Sequence, residues 1–273
     1  MVKSIFLFTM IWLCSPSIQA QRKVVDSLLQ LLPAAKDDTT SIMIMAGLVE
    51  PYKNIDLDSG VFYAQRALLL SKQINDPYTA YSLDNYGYAL FNAGNYPDAI
   101  EAHLNALQQF QRSADTAGMS QAYLHLGFVY RNMDEYRKAI GYFNKYKTIA
   151  DYYNDDQMRL RFWVEAGKAY EQLNSLDTAL LYHQKAMSLA LKISTPFGVR
   201  GILCNLGTIY SKMGNNQLAL ESFRSGLQQS LQAEDYRTLA RCDNEMANHF
   251  YRNKEPDSAI FYSKKALVIN QQH

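Results

Sequence analysis

The residues that could do chemistry in this chain are few and scattered. Its five His stand at positions 103, 125, 183, 249 and 273, and its three Cys at 14, 204 and 242. A metal site of the zinc type wants paired ligands at short spacing, such as CxxC or HxxxH. No such pair occurs, and neither do HExxH, GxSxG or a glycine-rich phosphate loop. The acidic pairs Asp37–Asp38 and Asp155–Asp156 sit between helical patterns and read as caps and solvated turns rather than as acid–base machinery. The chain is therefore expected to be no enzyme, to need no cofactor and to bind no metal. Cys204 and Cys242 lie within helical patterns and read as small buried hydrophobes in preference to a bridge.

The elements that carry these residues follow one period. Gly87, Gly127, Gly167, Gly207 and Ala247 lie forty apart, and so do Ala99, Ala139, Ala179, Ala219 and Ala259. Leu90, Tyr130, Tyr170, Tyr210 and Phe250 hold a large residue at the same interval. Within a unit, Trp163, Ala166, Gly167 and Tyr170 mark one face of a first helix, and Ala99, Ile100, His103, Leu104, Ala106, Leu107 and Phe110 mark a second. Gly94-Asn95, Met133-Asp134, Asn174-Ser175 and Gly214-Asn215 supply the turns. Asn75, Asp115, Asp155, Thr195 and Asp235 are N-cap types at the unit starts. Small residues of the first helix facing Ala of the second should let the pair approach closely. One pair cannot bury its apolar face alone, so pairs must stack. A shorter unit with Gly60, Ala64 and Ala67 and a turn at Asn54–Asp56 precedes these five, behind a capping helix at 24–32.

Composition fits such a protein. Hydrophobic residues make up 48% and charged ones 19%, an ordinary globular mix. Lys plus Arg number 27 against 26 Asp plus Glu. That balance argues against a nucleic-acid partner and against a polybasic membrane surface. Residues 1–20 read as an export signal, with Lys3 before the apolar run Ile5–Leu13, a break at Ser15-Pro16-Ser17 and Ala20 before the cut. Leu13 before Cys14 fits a lipoprotein signal poorly. No later segment has membrane-spanning length, so the mature chain is expected in the periplasm or outside the cell.

At these positions the chain resembles the tetratricopeptide repeat family. Its pattern of large residue, Leu-Gly, Tyr, then Ala, aromatic, Ala is matched by Trp163, Ala166-Gly167, Tyr170, Ala179, His183 and Ala186. The forty-residue units look like those of periplasmic repeat portions of bacterial sensor regulators. The resemblance implies an all-α solenoid of helical hairpins, a right-handed superhelix of about six units. These fall near 40–75, 76–115, 116–155, 156–195, 196–235 and 236–273, after a capping helix and linker at 21–39. It also implies that first helices line a concave groove for a protein or peptide. Groove positions are Asn85, Tyr88, Asn92, His125, Phe128, Asn132, Lys168, Asn205 and Lys212. His103 and His183 take the aromatic position and read as packing residues. Asp84 stands where the family's chaperone-tail clamp carries Lys, which argues against that ligand. Ile260 and Leu267 of the last second helix would be left without a following pair, an apolar end for a second copy or another protein. The alternative function is a sensor or regulatory remnant whose output lies on another polypeptide.

Overall fold

The computed structural model describes residues 18–272. The expected export signal falls outside these residues except for its last three. The described residues are helical throughout, without a strand among them. They form two compact units, one ending at Phe162 and one beginning at Trp163.

The first unit opens with α1 (Ile18–Leu31), a short 3-10 turn (Leu32–Ala34), α2 (Asp38–Gly47) and α3 (Val49–Tyr52). It continues through α4 (Leu57–Gln73), α5 (Thr79–Asn92), α6 (Tyr96–Arg112), α7 (Thr116–Asn132) and α8 (Tyr136–Tyr152). The division falls within α9 (Asp156–Gln172). The second unit contains α10 (Leu176–Lys192), α11 (Pro196–Lys212), α12 (Asn216–Gln232), α13 (Tyr236–Arg252) and α14 (Pro256–Gln272). Hairpins pair α5 with α6, α7 with α8, α11 with α12, and α13 with α14. First helices also touch one another: α5 packs on α7, and α11 on α13.

The forty-residue period is two helix-plus-turn halves. From α6 on, each helix has 17 residues. The nine helices from α5 to α13 are each followed, two residues on, by one with positive φ: Gly94 (80°), Ala114 (53°), Asp134 (60°), Asn154 (53°), Asn174 (57°), Ser194 (52°), Gly214 (78°), Glu234 (53°) and Lys254 (61°). The next amide then closes the helix, as in Asp115 N–H to Phe110 O at 2.9 Å and Asn95 N–H to Leu90 O at 2.9 Å. Gly and Asn suit this conformation; Ala114, Glu234 and Lys254 adopt it at a cost of about 1–2 kcal/mol each because stacking fixes the turn length. The side chains of Asp115, Asp155 and Asp235 cap as expected, accepting from Gly118, Met158 and Thr238 N–H at 3.0, 2.9 and 3.1 Å. Thr195 makes no side-chain cap bond, and Asn75 is no cap at all. Asn75 takes φ 50° after α4, and Asp76 accepts from Tyr78 N–H instead, so α5 starts later than the register implied.

The close approach of each pair works differently from the expected contact of small residue with Ala. A Cβ on Gly127 would lie 2.2 Å from the Phe143 ring, and one on Gly207 2.6 Å from Phe223. On Gly87 and Gly167 it would meet the imidazoles of His103 and His183 at 2.9 and 2.8 Å. The glycine makes room for the ring of the second helix. The recurring Ala99, Ala139, Ala179 and Ala219 are fully buried beneath it. Phe110, Phe143, Phe162 and Phe223 are the largest of the fully buried side chains.

Candidate functional site

In the first unit a partly exposed face of the first helices carries α5 residues Asn85, Tyr88 and Asn92 and α7 residues His125, Phe128 and Asn132. Tyr88 stacks on His125 with ring centres 5.0 Å apart, and Phe128 lies 6.4 Å from His125 and edge-on to Phe143. Helical spacing and the α5–α7 contact bring these rings together, as the repeat arithmetic implied. The polar members are largely engaged within the protein. Asn85 donates to the Ala46 carbonyl at 3.1 Å, tying α5 to α2. Asn92 donates to the Tyr88 carbonyl at 2.8 Å. The Tyr88 hydroxyl donates to Glu50 at 2.8 Å and accepts from Lys53 at 3.2 Å. Asn132 is exposed.

Beneath the rings lies a cluster that sequence reasoning missed. Asp84 of α5 is fully buried. One carboxylate oxygen is 2.6 Å from Nδ1 of His103 on α6, and the other is 2.9 Å from Nδ1 of His125 on α7. Gln121 Nε2 donates to that second oxygen at 2.8 Å. Burial alone would raise the Asp84 carboxyl, but the two imidazoles and their hydrogen bonds outweigh it and hold the group below the usual carboxylate range. Burial, partly offset by Asp84, pushes the His103 imidazole below its ordinary value. His103 is thus a ring packed under Gly87, as expected, and also one arm of a polar junction joining three helices. A partial signal was present: the column holding Asp84 carries Leu124, Val164 and Cys204 in the next three units and Asn244 in the last. A carboxylate in an apolar column needs a partner, and His103 and His125 are the nearest candidates by helix geometry.

The second unit holds Lys168, Asn205 and Lys212, each already paired. Lys168 meets Glu165 at 3.1 Å, and Lys212 meets Glu171 at 2.8 Å. Asn205 is buried and accepts from Arg241 at 2.7 Å, while Arg241 also donates to the Gly201 carbonyl at 3.0 Å. Thr208 donates to Glu245 at 3.2 Å, and Ser211 bonds His249 Nδ1 at 2.7 Å. Partners in these inter-helix bonds lie 36 to 40 residues apart, so one period staples α11 to α13. The expectation that Cys204 and Cys242 are separate hydrophobes is overturned. They form a disulfide between α11 and α13, with Cα atoms 5.5 Å apart. Their columns meet because first helices adjoin, a contact one forty-residue register away that local spacing does not reveal. In α14, Ile260 and Leu267 are half exposed, as are Phe261 and Val268.

Family profiles described as "Tetratricopeptide repeat" match residues 76–151 and 201–230. Tetratricopeptide repeat protein 29 of Trypanosoma brucei brucei is 28% identical over 144 residues, which are 52% of this chain. Those residues span 29% of that relative's length. Aspartyl phosphate phosphatase F from Bacillus subtilis shares the fold with a TM-score of 0.74 at 15% identity, over 93% of this chain and 67% of that one. A Rap protein complexed with Competence and Sporulation Factor gives 0.71 at 16% identity, over 93% and 72%. The quorum sensor NprR from B. thuringiensis gives 0.62 at 13% identity, over 93% and 82%. The gapless forty-residue period, the paired hairpins and the two profile matches agree that residues 76–151 and 201–230 are built of tetratricopeptide repeats.

Proposed function

We propose that this protein is an exported, non-enzymatic scaffold that binds a protein or peptide on the face of its first helices. The observation that carries the reading is the cluster of Tyr88, His125 and Phe128, partly exposed aromatic surface held on helices that internal bonds make rigid. Aromatic anchors on a pre-ordered wall bind with little loss of side-chain freedom. Exposed Asn132 at the rim can donate to and accept from a peptide backbone. The solved Rap protein complex with Competence and Sporulation Factor supports this use of the architecture. Export is supported by the leader pattern and by the Cys204–Cys242 pair, which suits an oxidising compartment. The quorum sensor NprR favours a second reading, a sensor or regulatory element whose output lies on another polypeptide. The half-exposed apolar residues of α14 add a docking surface for a second copy or another protein.

Recovery of partners from an envelope extract tests the face. A Tyr88→Ala, Phe128→Ala, Asn132→Ala variant with unchanged helix content should recover at least about tenfold less, the loss of a few anchors of 1–2 kcal/mol each. Equal recovery would contradict the reading.

A further inference from the structure

Asp84, His103 and His125 place one carboxylate and two imidazole nitrogens within 4.8 Å of one another. Each residue comes from a different helix, so none of them meets by accident of local sequence. Both imidazoles turn Nδ1 toward the same carboxylate, at 2.6 and 2.9 Å. Asp84 and His103 have no exposed surface, while His125 retains 15% of its side chain open. The described salt bridges bring no Lys or Arg to Asp84, so its buried charge is met by two imidazoles and the Gln121 amide alone. A metal ion there would take the place of the protons in the two ring–carboxylate hydrogen bonds.

We propose that this junction is a metal site for one divalent ion of the zinc class, held by the Asp84 carboxylate and by Nδ1 of His103 and His125. Nitrogen ligands paired with a single carboxylate suit zinc, cobalt or iron rather than calcium or magnesium, which take oxygen cages. Zinc lies about 2.0–2.2 Å from such donors. Ligands at that range from a tetrahedral ion stand roughly 3.3 Å apart, so the ring–carboxylate pairs now at 2.6 and 2.9 Å must open to admit it. Two imidazoles and a carboxylate leave a position free for water or for a ligand's own donor. The open edge of His125, flanked by Tyr88 and Phe128, is the way in. The bound ion would lock α5, α6 and α7 together and lend the aromatic face one point of positive charge. A partner carrying a carboxylate or imidazole would then be favoured there.

The test uses the untagged chain stripped with a chelator and titrated with cobalt(II) and zinc(II), read by visible absorption and calorimetry. The site predicts one equivalent bound per chain, a cobalt spectrum of low-symmetry nitrogen–oxygen ligation displaced by zinc, and a raised melting temperature. His125→Ala changes the least buried ligand and should weaken zinc binding by about 100-fold or more. Should that variant fail to fold, Asp84→Asn removes the charge while keeping the shape and should give the same loss. Wild-type protein that stays folded and takes up no ion at one equivalent overturns the proposal. Unchanged binding in a folded His125→Ala or Asp84→Asn chain overturns it equally.

Discussion

His103 and His183 occupy the same column of the repeat, yet their surroundings differ. His103 meets Asp84, whereas the equivalent place beside His183 is Val164. Both ring nitrogens of His183 are buried without a hydrogen-bond partner among the described residues. Burial, aided by the nearby Lys168 charge, pushes its pKa down to about 3. A histidine depressed in the folded state stabilises fully above its unfolded value near 6.5 and loses that contribution as pH falls toward 3. Relative to His183→Phe, which keeps a ring under Gly167, the wild type should lose about 2 kcal/mol between pH 7 and pH 5. Urea unfolding followed by circular dichroism at the two pH values measures it; parallel losses in both proteins would contradict the assignment. The aromatic role of these positions was legible in the period. The divergent electrostatics were not, because they depend on a neighbour on another helix.

Helix lengths and turns follow almost wholly from the period, since 17 residues of helix and a three-residue turn recur whatever the local propensity. Ala114, Glu234 and Lys254 end helices in the left-handed conformation although nothing in their types favours it. The face between first helices was only partly legible. Asn85, Asn205 and Lys212 were expected to meet a ligand, but neighbours one period away engage them first. Polar residue type alone does not separate a bond to the next helix from a bond to a partner. The disulfide belongs at this scale, because it crosslinks α11 to α13 across 38 residues of sequence. Reduction should cost about 2–4 kcal/mol of stability in the second unit. A Cys204→Ala, Cys242→Ala variant should show that loss without reductant and none further with it. A melting temperature unmoved by reductant in the wild type would show that the bridge does not hold the helices together.

At the scale of the molecule, the two units offer two kinds of surface. One is the run of first helices, with Tyr88, His125 and Phe128 in the first unit. The other is α14, where Ile260, Phe261, Leu267 and Val268 are about half exposed. If α14 docks a second copy, light scattering should give a dimer mass that falls to the monomer in an Ile260→Lys, Leu267→Lys variant of unchanged helicity. A monomeric wild type at high concentration would remove that role. The all-α fold could be anticipated because small and aromatic residues recur without a gap. A partner is not legible in that way, since side chains that nest helices are chosen for shape and say little about what lies opposite. Photo-crosslinking in the envelope of the producing cell tests the binding face most directly. The crosslinking residue is placed at Phe128 on α7 and, separately, at exposed Glu101 on α6. A discrete adduct from position 128 with none from position 101 is the predicted result. Adducts from position 101 alone, or equally from both, would contradict it.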